Sequence, residues 1–169
     1  GSARKTAPGM AVSLDAIAKG YAVDRAVEAM KRAGAVGGLV ELGGDLRTFG
    51  RSPAGEPILV HVQNPFGDGY VMTLTPLPGQ DLAVCTSGNY RRYVEIAGHR
   101  YSHIIDPRTG QPADAVPSVT VIAPDTMTAD GWATALSVLS IEQGRKLIEA
   151  EPGVEAMWIT GTPGAPEFH

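Results

Sequence analysis

The chain has 169 residues, 43% of them hydrophobic and 19% charged, with a net charge of −4. That composition describes one globular domain large enough to bury a core and excludes a disordered chain. A slight acidic excess without a long Lys or Arg run argues against a nucleic-acid footprint, and no apolar run reaches the roughly 18 residues that would span a bilayer.

Gly1-Ser2 reads as a remnant of tag cleavage, which leaves 3–169 as the domain. Asp15 to Ala33 is predicted as a helix, with Val23, Val27 and Met30 on one stripe and Gly34 as its stop. Ser13 or Asp15 can cap its start. Gly20 inside it costs about 1 kcal/mol against Ala, which points to a close backbone approach. "GGLVELGGDLRTFG" follows: a short buried strand, a diglycine turn and an aspartate. "PILVHVQNP", "YVMTLTPL" and "LAVCTSG" are strand candidates, the last carrying the single cysteine, Cys85. One cysteine permits neither an intrachain disulfide nor a thiolate metal cluster.

"YVEIAGHRYSHII" alternates around Ala97-Gly98 as a hairpin, and "SVTVIAP" is a buried strand. Thr128 to Ser140 has Trp132, Leu136 and Leu139 at helical spacing; "EQGRKLIEA" is a shorter helix and "VEAMWIT" the final strand. The order of elements predicts an α+β domain, a mostly antiparallel sheet with packed helices, and disfavours a doubly wound nucleotide fold.

Three groups of residues could carry chemistry. In "SHIIDPRTG", His103 at a strand end is placed as a general base and Asp106 as its orienter; an ordinary hairpin running into a polar turn fits equally. A Ser-His-Asp hydrolase is disfavoured, since adjacent Ser102 and His103 point to opposite faces. In "ADGWATAL", Asp130 and Thr134 are four apart and share a helix face, an oxygen pair suited to Mg²⁺. An acidic first turn and a half-buried threonine explain them as well. The glycine-containing turns, Thr86-Ser87-Gly88 among them, let backbone N–H groups approach phosphates or a planar ring, yet match no phosphate-binding fingerprint.

Taken together and in order, "LDAIAKGYAVDRA", "LVELGGDLRTFG", "CTSGNY…YSHIIDPRTGQP" and "SVTVIAPDTMTADGWATALSVL" resemble the ApbE family, the FAD:protein FMN transferases, from about Val12 to Ile159. The resemblance implies a T-fold-like domain. It implies Mg²⁺-dependent transfer of FMN from FAD to a threonine hydroxyl of a target flavoprotein, with release of AMP. Some members are similar in hydrolysing FAD to FMN and AMP, so a pyrophosphatase is the alternative, and a non-catalytic flavin-binding module a third reading. Members act outside the cytoplasm, in the periplasm or on the outer face of the inner membrane, often as lipoproteins, on membrane redox subunits.

By position, the resemblance assigns metal binding to Asp130 and Thr134 and to the carbonyls of Ala16 and Ala133. Lys19 and Ile105 fall at flavin-nucleotide contacts, as do Ser13 (where many members carry aspartate) and Thr86, Ser87 and Gly88. His103 matches the base for the incoming hydroxyl; Asp106, with Pro107 and Gly110, then holds the turn that aims it. The helix start near Thr128 is expected to offer N–H groups to phosphate. Family domains extend further upstream, so the N-terminal part that contributes much of the FAD pocket is expected to be missing from this chain.

Overall fold

A computed structural model describes residues 2–88, 93–96, 98–113 and 116–169. Helix α1 (Asp15–Arg32) precedes strands β1 (Gly37–Leu42), β2 (Asp45–Gly50), β3 (Val60–Gln63), β4 (Tyr70–Leu74), β5 (Leu82–Gly88), β6 (Tyr93–Ile96), β7 (His99–Ser102) and β8 (Ser118–Ala123). Helices α2 (Thr126–Val138) and α3 (Ile141–Ile148) and strands β9 (Glu155–Thr162) and β10 (Ala165–Phe168) complete the chain. Six strands form one sheet in the order β1-β2-β5-β8-β9-β10, every pair antiparallel. The expected α+β class is what forms. Among the described residues no helix is long and apolar enough to cross a membrane.

Register decides which side chains meet. Asp45 stands opposite Cys85, and Cys85 opposite Val121, so these three share one face. The helices cover that face: Val119, Val121, Ala133, Leu136 and Trp158 are buried between them and the sheet. Each fully buried Val or Leu contributes about 1.5–3 kcal/mol. The β3–β4 hairpin lies against the other face, with Val60 and Val62 buried. Val23 and Val27 are the buried stripe of α1, as their spacing predicts.

The structure differs from the sequence expectations in five places. The stretch after the diglycine forms a strand of its own, β2, and α1 is capped by Leu14 with no side-chain bond rather than by Ser13 or Asp15. β1 is an edge strand whose Leu39 and Leu42 are 43% and 47% exposed, not a buried one. α2 begins at Thr126, because the side chain of Asp125 caps it by accepting from Thr128 N–H at 2.8 Å. A tenth strand carries Pro166, which an edge strand tolerates because one of its sides makes no ladder bonds. The hairpin β6–β7 forms as expected; Ala97 of its turn, and Asn89 and Tyr90 of "CTSGNY", lie outside the described residues.

Candidate functional site

At Gly20 the backbone of α1 comes against the start of α2 with no side chain between them. A methyl at Gly20 would lie 2.3 Å from the Thr126 carbonyl oxygen, and one at Gly131 would lie 3.2 Å from Ile17. At Gly20 only glycine permits the approach, which is the close contact its cost in a helix implied. It brings the N–H of Gly20 to Asp130 Oδ2 at 3.0 Å. In a regular helix that N–H would serve the carbonyl of Ala16, so Ala16 shares or loses its donor to the carboxylate.

One turn away, the ammonium of Lys19 bridges two acids. It donates to Asp130 Oδ1 at 3.1 Å and to Asp45 Oδ2. Asp45 and Asp130 are each 2% exposed. Burial pushes the Asp45 carboxyl above the usual range and the charge of Asp130 adds to that, against the pull of Lys19. For Lys19, burial alone would lower the ammonium; its hydrogen bonds and charge interactions with Asp45 and Asp130 outweigh that and hold it above its ordinary value. Cys85, directly across from Asp45, donates its thiol to the Thr126 carbonyl at 3.4 Å. Burial, then the charges of Asp45 and Asp130, push that thiol far up, so it is neutral and no nucleophile.

Asp24, 5% exposed, locks the same junction from α1. It accepts from the N–H groups of Thr126 and Met127 at 3.0 Å each and from Arg47 at 2.8 Å. Burial would raise its carboxyl, but those backbone bonds and Arg47 prevail and hold it below its usual range. The N–H groups of Thr126, Met127 and Thr128 are therefore all accepted inside the protein. The α2 start expected to face phosphate is instead the socket in which α1 is held.

The residues assigned by resemblance divide into three places. Lys19 on α1 and Asp130 on α2 come together as described, with Ala16 one turn before Lys19 on α1 and Thr134 half-buried one turn beyond Asp130. Ala133 is fully buried, and its carbonyl accepts the Ser137 hydroxyl at 2.8 Å. Ser13 is exposed and accepts from Asp15 N–H at 3.2 Å, just ahead of α1. Thr86, Ser87 and Gly88 do not act as one loop: they are the end of β5, paired to β8. The Thr86 hydroxyl meets that of Thr120 at 2.9 Å. Thr86 lines a cavity of about 490 Å³ under the β3–β4 hairpin, on the sheet face away from Asp130.

His103 and Ile105 are exposed on the segment after β7. Ser102 turns inward and accepts from Ile104 N–H at 3.1 Å, so the two neighbours do point apart. Asp106 holds the turn: it accepts from Arg108 through backbone and guanidinium, and its own carbonyl accepts from Gly110 N–H at 2.8 Å. Arg108 then ties the turn to α2 through the Val138 carbonyl at 3.2 Å.

The sequence reading missed Asp45, whose only signal was an acid directly after Gly43-Gly44. It also missed Asp24, an acid on the buried stripe of α1. The implied Mg²⁺ can be tested against the donor chemistry. Two buried carboxylates share one ammonium, and Thr134 offers a hydroxyl one turn further along α2. That set suits a hard cation. Among the described residues no three His, Cys, Asp or Glu side chains group as ligands, so carbonyl, hydroxyl, water or phosphate oxygens would have to complete the shell.

The ApbE family model matches residues 2–158. The chain is 39% identical over 165 residues to an FAD:protein FMN transferase of Vibrio cholerae, covering 97% of this chain and 49% of that one. It is 37% identical to the enzyme of the same name from Salmonella typhimurium, over 88% of this chain and 42% of that. The crystal structure of the ApbE protein of Thermotoga maritima superposes with a TM-score of 0.78 at 39% identity, over 92% of this chain and 50% of that one. The chain thus spans about half the length of the curated relatives it matches.

Proposed function

The chain belongs to the ApbE family, and on that premise we propose that it carries the catalytic site of an FAD:protein FMN transferase. Its substrate is FAD and its acceptor a threonine hydroxyl of a flavoprotein. The acceptor oxygen forms a bond to the phosphorus of the FMN half, the P–O bond to the AMP half breaks, and AMP leaves with the bridging oxygen. The acceptor's proton passes to His103. The observation that carries this reading is the half-buried Lys19 bridging buried Asp45 and Asp130 at the contact of α1 with α2, in a chain whose relatives bear that activity in their names.

Asp130 and Thr134, with the Ala16 carbonyl, would hold Mg²⁺, which when bound supplies positive charge to the phosphoryl oxygens. Ala133 is left to the core. Lys19 reaches the same place with three donors on a flexible stem, suited to phosphate as a point charge. His103 is held by the Asp106 turn at a position open to solvent, where an acceptor protein can present its hydroxyl. Ile105 beside it offers an exposed apolar surface to a flavin ring. We further place the activity outside the cytoplasm, on membrane redox subunits, on the strength of the motif resemblance.

The test is incubation with FAD, Mg²⁺ and a threonine-containing acceptor peptide, read by mass spectrometry. A mass gain of one FMN on the peptide is the expected result. Free FMN and AMP with an unmodified peptide would mean a pyrophosphatase. FAD bound without either product would mean a binding module, and both results overturn the transferase reading.

A further inference from the structure

We propose that Asp45 is a positioning residue that keeps Asp130 open to a divalent cation by holding part of the Lys19 ammonium on its own side of the cluster. The inference rests on the metal reading above and extends it to a residue with no assigned role.

Among the described residues each oxygen of Asp130 has one protein donor: Lys19 on Oδ1 at 3.1 Å and Gly20 N–H on Oδ2 at 3.0 Å. A carboxylate oxygen accepts two such bonds, so both retain a lone pair. Whether a cation can use them depends on the ammonium. Lys19 sits on a flexible stem, and its position follows the negative charge around it. Asp45 provides a second carboxylate for it; one positive charge then serves two buried negative ones, and the deficit is what draws a divalent ion.

Remove the Asp45 charge and the balance inverts. Among the described residues Lys19 is then left with Asp130 as its one carboxylate, a neutral pair whose acid is buried and whose ammonium is partly exposed. An incoming cation would have to break that pair or lie beside an ammonium at contact distance, where repulsion in a poorly screened site is severe.

The backbone fixes Asp45 in this role. It is the first residue of β2, in register with Cys85, and it follows Gly43 and Gly44, both at positive φ (61° and 100°). Gly44 N–H donates to Glu41 at 2.7 Å, and its carbonyl accepts from Thr86 N–H at 3.3 Å. The turn is pinned on both sides, so Asp45 cannot follow Lys19. Lys19 must come to it.

The experiment is direct Mn²⁺ binding by calorimetry, without FAD, on the wild type and on folded variants checked by circular dichroism. Asp130→Asn is expected to abolish binding, and Asp45→Asn to weaken it roughly tenfold or more. Adding Lys19→Met to Asp45→Asn should restore affinity, because Asp130 is then unpaired. Should Asp45→Asn fail to fold, Lys19→Met alone decides: tighter binding supports the inference and weaker binding overturns it. Wild-type affinity in Asp45→Asn, with binding lost in Asp130→Asn, sinks the role of Asp45 and spares the metal reading. Weak binding that Lys19→Met does not restore also sinks it, since Asp45 would then be a ligand itself. No Mn²⁺ on the wild type, or undiminished binding in Asp130→Asn, removes both.

Discussion

Replacing Gly20 with alanine tests the contact on which the carboxylate cluster depends. The new methyl would stand 2.3 Å from the Thr126 carbonyl oxygen and 2.7 Å from the Met127 Cα, where ordinary contact begins at 3.4 Å. Both obstacles are backbone, so relief requires α1 and α2 to separate by about 1 Å. Overpacking of this kind costs about 2–3 kcal/mol. Alanine returns about 1 kcal/mol in helix propensity, for a net loss of about 1–2 kcal/mol. In a domain of this size that lowers Tm by about 2–8 °C. The separation also draws Gly20 N–H and Lys19 away from Asp130, so Mn²⁺ affinity should change along with stability. Gly131→Ala is the matched control in the same interface: its methyl meets a side-chain methyl of Ile17 at 3.2 Å rather than backbone, a squeeze of a few tenths of an ångström that propensity should offset. Thermal and urea unfolding of the two variants decide the matter. Gly20→Ala as stable as Gly131→Ala would refute the backbone-contact argument.

Asp24→Asn should cost about 2–3 kcal/mol at pH 7, since a buried charge paired to Arg47 and two helix N–H groups is lost. The Asp24 carboxyl is held low in the folded state, so its contribution is present above the unfolded value of about 3.9 and disappears as pH falls through the folded one. The deficit measured by urea unfolding should therefore shrink in acid; a deficit independent of pH would assign it to packing. His103→Ala should lower FMN transfer by roughly 10²–10⁴-fold while leaving Mn²⁺ affinity unchanged, and undiminished transfer would remove it as the base. Cys85 should resist a thiol-specific colorimetric reagent in the native protein at pH 8 and react fully in urea, because it is buried and its thiol pKa is raised. Rapid native labelling would contradict the described burial.

Much of the fold is local, and was legible for that reason. The Val23/Val27 stripe, the alternation of "YVEIAGHRYSHII" and the continuous apolar run of β8 each encode their element in a few residues. β1 was misread because two adjacent apolar residues look the same in a core strand and at an edge. β10 was missed because its proline argues against a strand unless the sheet ends there. The site was half visible. Asp130 and Thr134 announce themselves four apart on one helix. The Lys19 bridge joins residues 26 and 111 positions apart in sequence, and no periodicity links them. Nor does the sequence reveal that Asp24 and Asp125 take the first N–H groups of α2, so its start reads as open to phosphate.

Arg108 on the Val138 carbonyl has a bearing on how this domain can vary. With Asp24 and Asp125 at its first turn and Arg108 at its last, α2 has no loose end. It is a rod held at both ends, between the carboxylate cluster and the Asp106 turn. Inserting one residue between Asp130 and Val138 would advance the far end by about 1.5 Å and rotate it by about 100°, so the Arg108 contact and the carboxylate cluster could not both be kept. Changes in length should thus be confined to the connections, and the eight-residue step from Asp130 to Val138 becomes the internal measure against which the rest of the site is set.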